Sequence, residues 1–502
     1  MRIRTIVVMI FSLWAMPVFA SPVLIQLHLK GQADFQKASD LNLSVYHRFD
    51  NIIIAEFEKT RLNALQGAGL SFRIIDEEPW TESYYVISKG KRPEQVDLSR
   101  YGRILVQTGD IYFLKISDET ARTLAEKGYH IAKVFRHTIP LIPKPAVGKP
   151  SKSYPYYDPG IDSLVSLVSS DSLYVWDLQL QNFGTRYSYS DALPSVRQWL
   201  FDKLKSFGID SVWYHHYYWD SDQYNVVATV KGTAHPHIVL VVGGHYDSVV
   251  YGPGADPYSW APGADDNGSG TVATLEIARI VAQHPLPVTV IFVPFAQEEQ
   301  GLIGSYFFAE YLRNHQVDMQ LMLNADMIGH SVDADTDVTI YADSGSLEFV
   351  NLMSSMADQY TYLHPHYKGQ SSGSDHYSFY QWRYDAIYAE EGDFFNSGWH
   401  RNYDLVDSLD FDYMKEVVKM EFATLISHAK TVGSQFVIGD VNSDDGITLL
   451  DIIYLINYLF KGGPAPVFFA AADANCDHKV SIADAVFLIN YFFKDGGPPA
   501  CN

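Results

Sequence analysis

Ile238-Val239-Leu240-Val241-Val242-Gly243-Gly244-His245-Tyr246-Asp247-Ser248 reads as one strand and the turn that ends it. Five consecutive apolar residues without polar alternation fit a strand covered on both faces, as in a parallel sheet between helices. The paired glycines let the backbone turn sharply, so that His245 and Asp247 project into a cleft. Similar runs occur at 288–295 and 320–323, with helical patterns at 269–282 and 305–313. Working outward, this alternation predicts a three-layer α/β domain with a mixed central sheet over 161–432. In such a sheet, ligands bind beyond the carboxyl ends of the strands.

Each of those ends carries chemistry. After the first strand, a ligating His245 would donate its second N–H to a carboxylate, and Asp247 is placed to accept it. Before the first helix stands Gly263-Ala264-Asp265-Asp266-Asn267-Gly268-Ser269-Gly270. Asp, Asn and Ser are good helix caps, but a cap does not need adjacent aspartates among so many glycines. The strand at 288–295 runs into Gln297-Glu298-Glu299-Gln300-Gly301, where one glutamate suits a metal and the other a general base. The last is Asn324-Ala325-Asp326-Met327-Ile328-Gly329, a carboxylate in apolar surroundings that calls for a charge partner. Taken singly, these motifs are explained by a surface ion pair, a cap or a solvated helix start. Four of them in order at strand ends indicate a metal site. Histidine and carboxylate donors without cysteine suit two zinc ions, about 3.5–4 Å apart in hydrolytic sites. A further ligand is drawn from His376, in Gly373-Ser374-Asp375-His376, or His400, in Trp399-His400-Arg401-Asn402-Tyr403-Asp404. Spacing does not choose between them.

The motifs resemble those of the family 28 metallopeptidases, the group of bacterial leucyl aminopeptidases and glutamate carboxypeptidases. The likeness spans 165–430 and includes Asn182-Phe183-Gly184-Thr185-Arg186-Tyr187-Ser188. It implies the phosphorylase/hydrolase-like zinc-peptidase fold and two Zn²⁺ per catalytic domain. On this resemblance His245 and Asp326 bind one zinc, Glu299 and His400 the other, and Asp266 bridges them. Glu298 is then the general base and Asp247 orients His245. His400 is preferred because the family's final ligand follows an aromatic residue and precedes an aspartate by four positions, as Trp399 and Asp404 do here. Arg401-Asn402 departs from the Thr-Pro type of pair common in that segment. The implied activity is an aminopeptidase acting on peptides. A glutaminyl cyclase, which shares the fold but works with one zinc, is the runner-up, favoured by Trp399-His400. An inactive binding protein on the same fold would have lost ligands, whereas all five and Glu298 are present.

Further out, the C-terminus carries a duplication. The stretch 440–451, followed by Leu455-Ile456-Asn457-Tyr458, recurs 33 residues later as 473–484 and Leu488-Ile489-Asn490-Tyr491. Asp440, Asn442, Asp444 and Asp451 stand at positions one, three, five and twelve of a calcium loop, and Asp473, Asn475, Asp477 and Asp484 repeat the set. Thr448 and Ser481, at position nine, are further oxygen donors for Ca²⁺. The region 433–502 thus resembles a dockerin, a small helical module with twin calcium loops that would attach the enzyme to a cohesin-type partner or a cell-surface scaffold. Asp445 and His478 replace the usual glycine at position six.

The other end of the chain carries no catalytic constellation. Arg2 and Arg4, an apolar run over 6–18 and Ala20 before Ser21 have the order of a secretory signal peptide. The run is too short for a bilayer span, so cleavage after Ala20 would leave an extracellular protein without a transmembrane anchor. Residues 21–137 read as a small α+β region of two βαβ-type segments, with strands at 23–29 and 52–57 and a second set opening at 104–106. It is either a propeptide that covers the cleft or a permanent accessory domain. The proline-rich stretch 138–160 reads as a linker suited to proteolysis. A net charge of −22 excludes the basic footprint of a nucleic-acid binder. Cys476 and Cys501 are too few for a zinc cluster and are either bonded to each other or free.

Overall fold

The structure is a computed structural model that describes residues 22–89, 96–141, 157–331, 336–392, 397–432, 437–442, 444, 446–463, 466, 469–477, 479–494 and 496–499. The signal segment, most of the proline-rich stretch, Asp445, His478 and Cys501 lie outside the described residues.

The N-terminal region holds two four-stranded antiparallel sheets of identical strand order. The first is made of β1 (Pro22–His28), β2 (Ser44–Phe49), β3 (Ile52–Glu58) and β4 (Ser71–Asp76), ordered β2-β3-β1-β4. The second is made of β5 (Ser83–Lys89), β6 (Arg103–Thr108), β7 (Ile111–Ile116) and β8 (Tyr129–Val134), ordered β6-β7-β5-β8. Each is a split βαβ arrangement in which a third strand enters between the two that the crossover joins. The two βαβ-type segments are thus of the split kind. The second set also opens earlier than 104–106, at β5. In β5, Tyr84 and Val86 enter one core while Tyr85 and Ile87 enter another. A strand buried on both faces has no polar alternation to betray it.

The central domain is built on an eight-stranded mixed sheet. Its strands are β9 (Ser211–Tyr218), β10 (Asp222–Val230), β11 (His235–His245), β12 (Val288–Phe295), β13 (Asp318–Ala325), β14 (Asp337–Ala342), β15 (His364–Tyr367) and β16 (Ala386–Glu391). They lie in the order β15-β14-β16-β13-β11-β12-β10-β9. The run β12-β11-β13-β16 is parallel throughout, so four carboxyl ends open on one edge. Alternate residues of β11 serve two cores. Ile238, Leu240 and Val242 pack with the helices Gly270–Gln283 and Phe411–Val432. Val239 and Val241 pack with the helix Ile303–Asn314 in a cluster that continues into Val23, Ile25 and Leu27 of β1. That pattern explains the unbroken apolar run of β11 and makes the N-terminal region part of the same hydrophobic body.

Polar contacts reinforce this junction. His47 Nε2 and Tyr377 Oη lie 2.9 Å apart, and the Arg48 N–H donates to Gln381 Oε1 at 3.0 Å. Ser88 and Ser372 share a hydroxyl hydrogen bond of 2.8 Å, and His130 Nδ1 lies 3.1 Å from Ser371 Oγ. At the C-terminus the helices Leu449–Lys461 and Ile482–Phe493 pack around Ile452, Leu455, Ala485 and Leu488. Among the described residues no helix is long and apolar enough to cross a membrane.

One group at the junction is costly. Arg48 is fully buried, and its three guanidinium nitrogens meet no hydrogen-bond partner among the described residues. Burial, and then the neighbouring Arg383, push its pKa down to about 9, with Arg313 acting in the same direction. Replacing an uncompensated buried ion by an apolar side chain of similar size removes its desolvation cost. Arg48→Met is therefore expected to stabilise the chain by about 1–4 kcal/mol, read as a raised midpoint in thermal or urea unfolding.

Candidate metal centre

Strand ends and the loops after them bring the predicted donors together. His245 closes β11 with its ring 1% exposed. Its Nδ1 lies 3.0 Å from the main-chain carbonyl oxygen of Asp247, which leaves Nε2 facing the cleft. Around Nε2 lie Asp266 Oδ1 at 3.3 Å, Asp326 Oδ1 at 3.4 Å and Glu298 Oε2 at 3.8 Å. A second cluster forms on His400, whose Nε2 lies 3.1 Å from Asp266 Oδ2 and 2.9 Å from Glu299 Oε2. Asp266 thus turns one oxygen to each imidazole. His376 is in neither set; its Nε2 lies 3.1 Å from the Ser371 carbonyl oxygen and its ring stacks on Tyr388.

The donor set fits metal. Tetrahedral zinc with bonds of about 2.0–2.2 Å places its ligand atoms about 3.3–3.6 Å apart, close to the spacings around His245. His245 Nε2, Asp326 Oδ1 and Glu299 Oε1 are buried without a hydrogen-bond partner, as metal-facing atoms would be. Crowding alone distorts the acidities. Burial lifts the Glu299 carboxyl to about 7, and burial also raises Glu298 well above its ordinary value, with Glu299, Asp326 and Asp375 adding like charge against the pull of His245. Burial would depress His400, yet Glu299 and Asp266 lift it to about 10. A cleft this acidic calls for cations.

Surrounding residues hold the donors still. The Asp247 carboxylate does not reach His245 as a hydrogen-bond acceptor, its nearest oxygen being 3.7 Å from Nδ1. Instead it accepts Ser188 Oγ at 3.0 Å and the backbone N–H groups of Glu298 at 3.1 Å and Glu299 at 3.3 Å. Asp247 therefore fixes both glutamates, while its carbonyl orients the histidine. Asp404 accepts the N–H groups of Asp265 and Asp266, each at 3.0 Å, and so ties the His400 segment to the bridging loop. Arg401 donates to the Tyr251 carbonyl at 2.9 Å, and the Tyr251 ring meets that of His400 edge-on. Gly270 lies so close to β13 that a Cβ would sit 2.1 Å from the Ala325 carbonyl oxygen, so any larger residue would push the helix start off the strand. Gln297, Met327 and His400 adopt left-handed backbone with φ of 56°, 55° and 54°. Such conformations cost of order 1–3 kcal/mol each and cluster at working sites.

The cleft is covered. Ala125, Tyr129, His130 and Ile131 of the N-terminal region line the same cavity as Asp266, Glu298 and His400, and leave about 60 Å³ of space. Small-molecule pockets occupy about 300–1,000 Å³, so this cleft is too small for a peptide end.

The C-terminal loops repeat one geometry. The Asp444 N–H donates to Asp440 Oδ1 and Asn442 Oδ1, and the Asn442 N–H to Asp451 Oδ1 at 3.0 Å. In the second loop the Asp477 N–H donates to Asp473 Oδ1 and Asn475 Oδ1, and the Asn475 N–H to Asp484 Oδ1 at 3.2 Å. Asp440, Asp444 and Asp451 converge closely enough to hold one ion. Thr448 and Ser481 also cap the helices that follow, accepting from Leu450 and Ala483, each at 3.1 Å. Cys476 is disulfide-bonded.

Two regions of the chain match known families. Residues 225–425 match the family described as Peptidase family M28. A leucine aminopeptidase 1 of Ajellomyces capsulatus is 32% identical over 284 residues, which is 52% of this chain and 71% of that protein. The chain belongs to peptidase family M28. A probable zinc metalloprotease of Pyrenophora teres is 33% identical over 210 residues, and this M28 chain spans 45% of its length. The Legionella pneumophila LapA aminopeptidase superposes with a TM-score of 0.55 at 19% identity, covering 69% of this chain and 98% of its own, which establishes the shared fold. Residues 438–493 match the dockerin type I domain, so the M28 chain carries a dockerin module.

Asp404 and Gly270 act on the centre without facing the cleft, and sequence reading assigned neither a role. Asp404→Ala removes two acceptors from the bridging loop. It is expected to weaken metal affinity by about 10–100-fold, measured by chelator competition, with circular dichroism confirming the fold.

Proposed function

We propose that this chain is a secreted two-zinc peptidase that removes N-terminal residues from peptides and is latent until its N-terminal region leaves the cleft. The observation that carries the reading is Asp266, whose two oxygens face His245 on one side and His400 on the other. His245 and Asp326 would hold one zinc, His400 and Glu299 the other, with Asp266 shared. Bound zinc supplies a water of lowered pKa and polarises the scissile carbonyl. Glu298 is held by Asp247 beside the first donor set, and burial gives its carboxylate a high proton affinity. It would take the proton of the attacking water and deliver it to the leaving amine. Asp247 keeps Glu298 and Glu299 in their separate tasks through its two backbone hydrogen bonds. Two donor sets support the zinc pair over the single zinc of a glutaminyl cyclase.

The N-terminal region is proposed to be a propeptide, since it lines the cleft and leaves too little room for substrate. Cleavage within 142–156 would release it. The dockerin module would fold around Ca²⁺ held by Asp440, Asn442, Asp444 and Asp451 and by Asp473, Asn475, Asp477 and Asp484, and tether the enzyme to a cohesin-type partner outside the cell.

Glu298→Gln is expected to lower kcat by about 10²–10⁴-fold while elemental analysis still finds two zinc ions per chain; retained activity would remove Glu298 as the base. Limited proteolysis within 142–156 is expected to switch on hydrolysis of free-amino peptides but not of N-acetylated ones, in a chelator-sensitive manner. A mature, active protein whose N-terminal sequence starts at Ser21 would show the region to be permanent.

A further inference from the structure

The segment Asn182-Phe183-Gly184-Thr185-Arg186-Tyr187-Ser188 supplies no metal donor, yet it is laced to the two loops that carry His245 and Asp266. It leaves the helix Ser170–Gln181 through Gly184, whose φ of 78° turns the chain out of the helical path. Thr185 bridges to Ala261, and the Ser188 hydroxyl donates to Asp247. Between them stands Arg186, fully buried. Its guanidinium donates from Nε to the Tyr246 carbonyl at 2.8 Å, from Nη1 to that of Pro262 and from Nη2 to that of Gly263 at 2.7 Å. Its backbone N–H donates to Ser248 Oγ at 3.2 Å, and its carbonyl accepts the Ser248 N–H at 3.3 Å. Gly263 adopts a left-handed φ of 53°, and a Cβ there would sit 2.6 Å from that of Ser248. The two loops are thus pressed together where Arg186 clasps them.

A planar fork of donors suits this task. Tyr246 follows His245 directly, and Gly263 precedes Asp266 by three residues. One rigid group therefore spans the segments that bring His245 Nε2 and Asp266 Oδ1 to 3.3 Å. The direction of its hydrogen bonds matters as well. The charges of Asp177, Asp404, Asp247 and Asp266 act on the guanidinium, but its hydrogen bonds go to main-chain carbonyls and not to carboxylates. A bidentate pair with Asp266 would take the oxygens that a metal needs. The carbonyl contacts leave those oxygens facing the two imidazoles. The second donor set shares only Asp266 with the first, and Glu299 and His400 lie on segments to which Arg186 makes no hydrogen bond. We propose that Arg186 is a positioning residue that sets the spacing of His245 and Asp266, and so governs metal affinity at the His245–Asp326 position more than at the Glu299–His400 position. The inference rests on the two-zinc reading and adds a residue that acts on one of the two positions selectively.

The test uses the full chain, stripped of metal and reloaded in zinc buffers of graded free concentration, with bound zinc counted by elemental analysis. Arg186→Lys keeps the charge without the fork, and Arg186→Gln keeps neither. Each is expected to weaken one of the two ions by about 10–100-fold, the scale for groups that orient metal ligands, while the other stays near its wild-type affinity. Two backgrounds assign the position, since His400→Ala disables one donor set and Asp326→Ala the other. Adding Arg186→Lys is expected to release the remaining ion from His400→Ala but not from Asp326→Ala. With Co²⁺ as the probe, the visible bands of the His400→Ala chain are expected to shift when Arg186→Lys is added, which a general loss of stability would not cause. Thr185→Val removes a hydrogen bond of the same segment to Pro257 and is expected to keep both ions. Should Arg186→Gln fail to fold by circular dichroism, Arg186→Lys decides. Equal weakening of both ions in Arg186→Lys, wild-type affinities in that variant, or the same selective loss in Thr185→Val would each overturn the proposal. A wild-type chain that holds a single ion would overturn the two-zinc reading itself, a result distinct from two ions weakened alike.

Discussion

Gathering Asp266, Glu298, Glu299 and Asp326 around two imidazoles in a cleft poor in water costs several kcal/mol per ion unless cations or directed hydrogen bonds compensate. Much of the surrounding chain answers that constraint. Asp247 satisfies the backbone of both glutamates, Asp404 satisfies the backbone of Asp265 and Asp266, and the Asp247 carbonyl fixes His245. Four parallel strands end at one edge, so these groups come from segments far apart in sequence and converge without long loops. The left-handed turns at Gln297, Met327 and His400 are the backbone cost of aiming the side chains inward.

The sequence was most legible where one residue type had one use. The runs around β11, β12 and β13 announced buried parallel strands, because no exposed element tolerates so many apolar residues in succession. The donors His245, Asp266, Glu299 and Asp326 were legible because each ends such a run or opens the helix beside it. The choice of His400 over His376 was not legible in spacing; it came from the likeness of Trp399-His400 and Asp404 to the family's segment, and in the fold His400 is the one that lies against Asp266 and Glu299. The role of Asp404 was hidden for another reason. Its partners are backbone N–H groups, which every sequence possesses and none displays. The true start of the second N-terminal sheet was missed because β5 is covered on both sides.

Duplication appears at both ends of the chain, for different physical reasons. At the C-terminus each calcium loop needs its own helix to carry position twelve, so Thr448 with Asp451 and Ser481 with Asp484 form matching capping boxes. At the N-terminus two sheets of equal order sit side by side. The first supplies an apolar face that fuses with the central domain, and the second delivers Tyr129, His130 and Ile131 to the cleft. Both copies thus hold the central domain, and the second also obstructs the cleft.

The fused apolar face bears on what happens after separation. Phe135 packs edge-on against Trp219 and tilted against Tyr306, and the His137 ring lies 6.5 Å from that of Trp382. If the N-terminal region is the propeptide proposed above, its departure would wet these aromatic surfaces together, forming a patch of the kind that promotes association between molecules. Activation of this chain would therefore run in one direction. The liberated enzyme would trade shelf life for access to substrate.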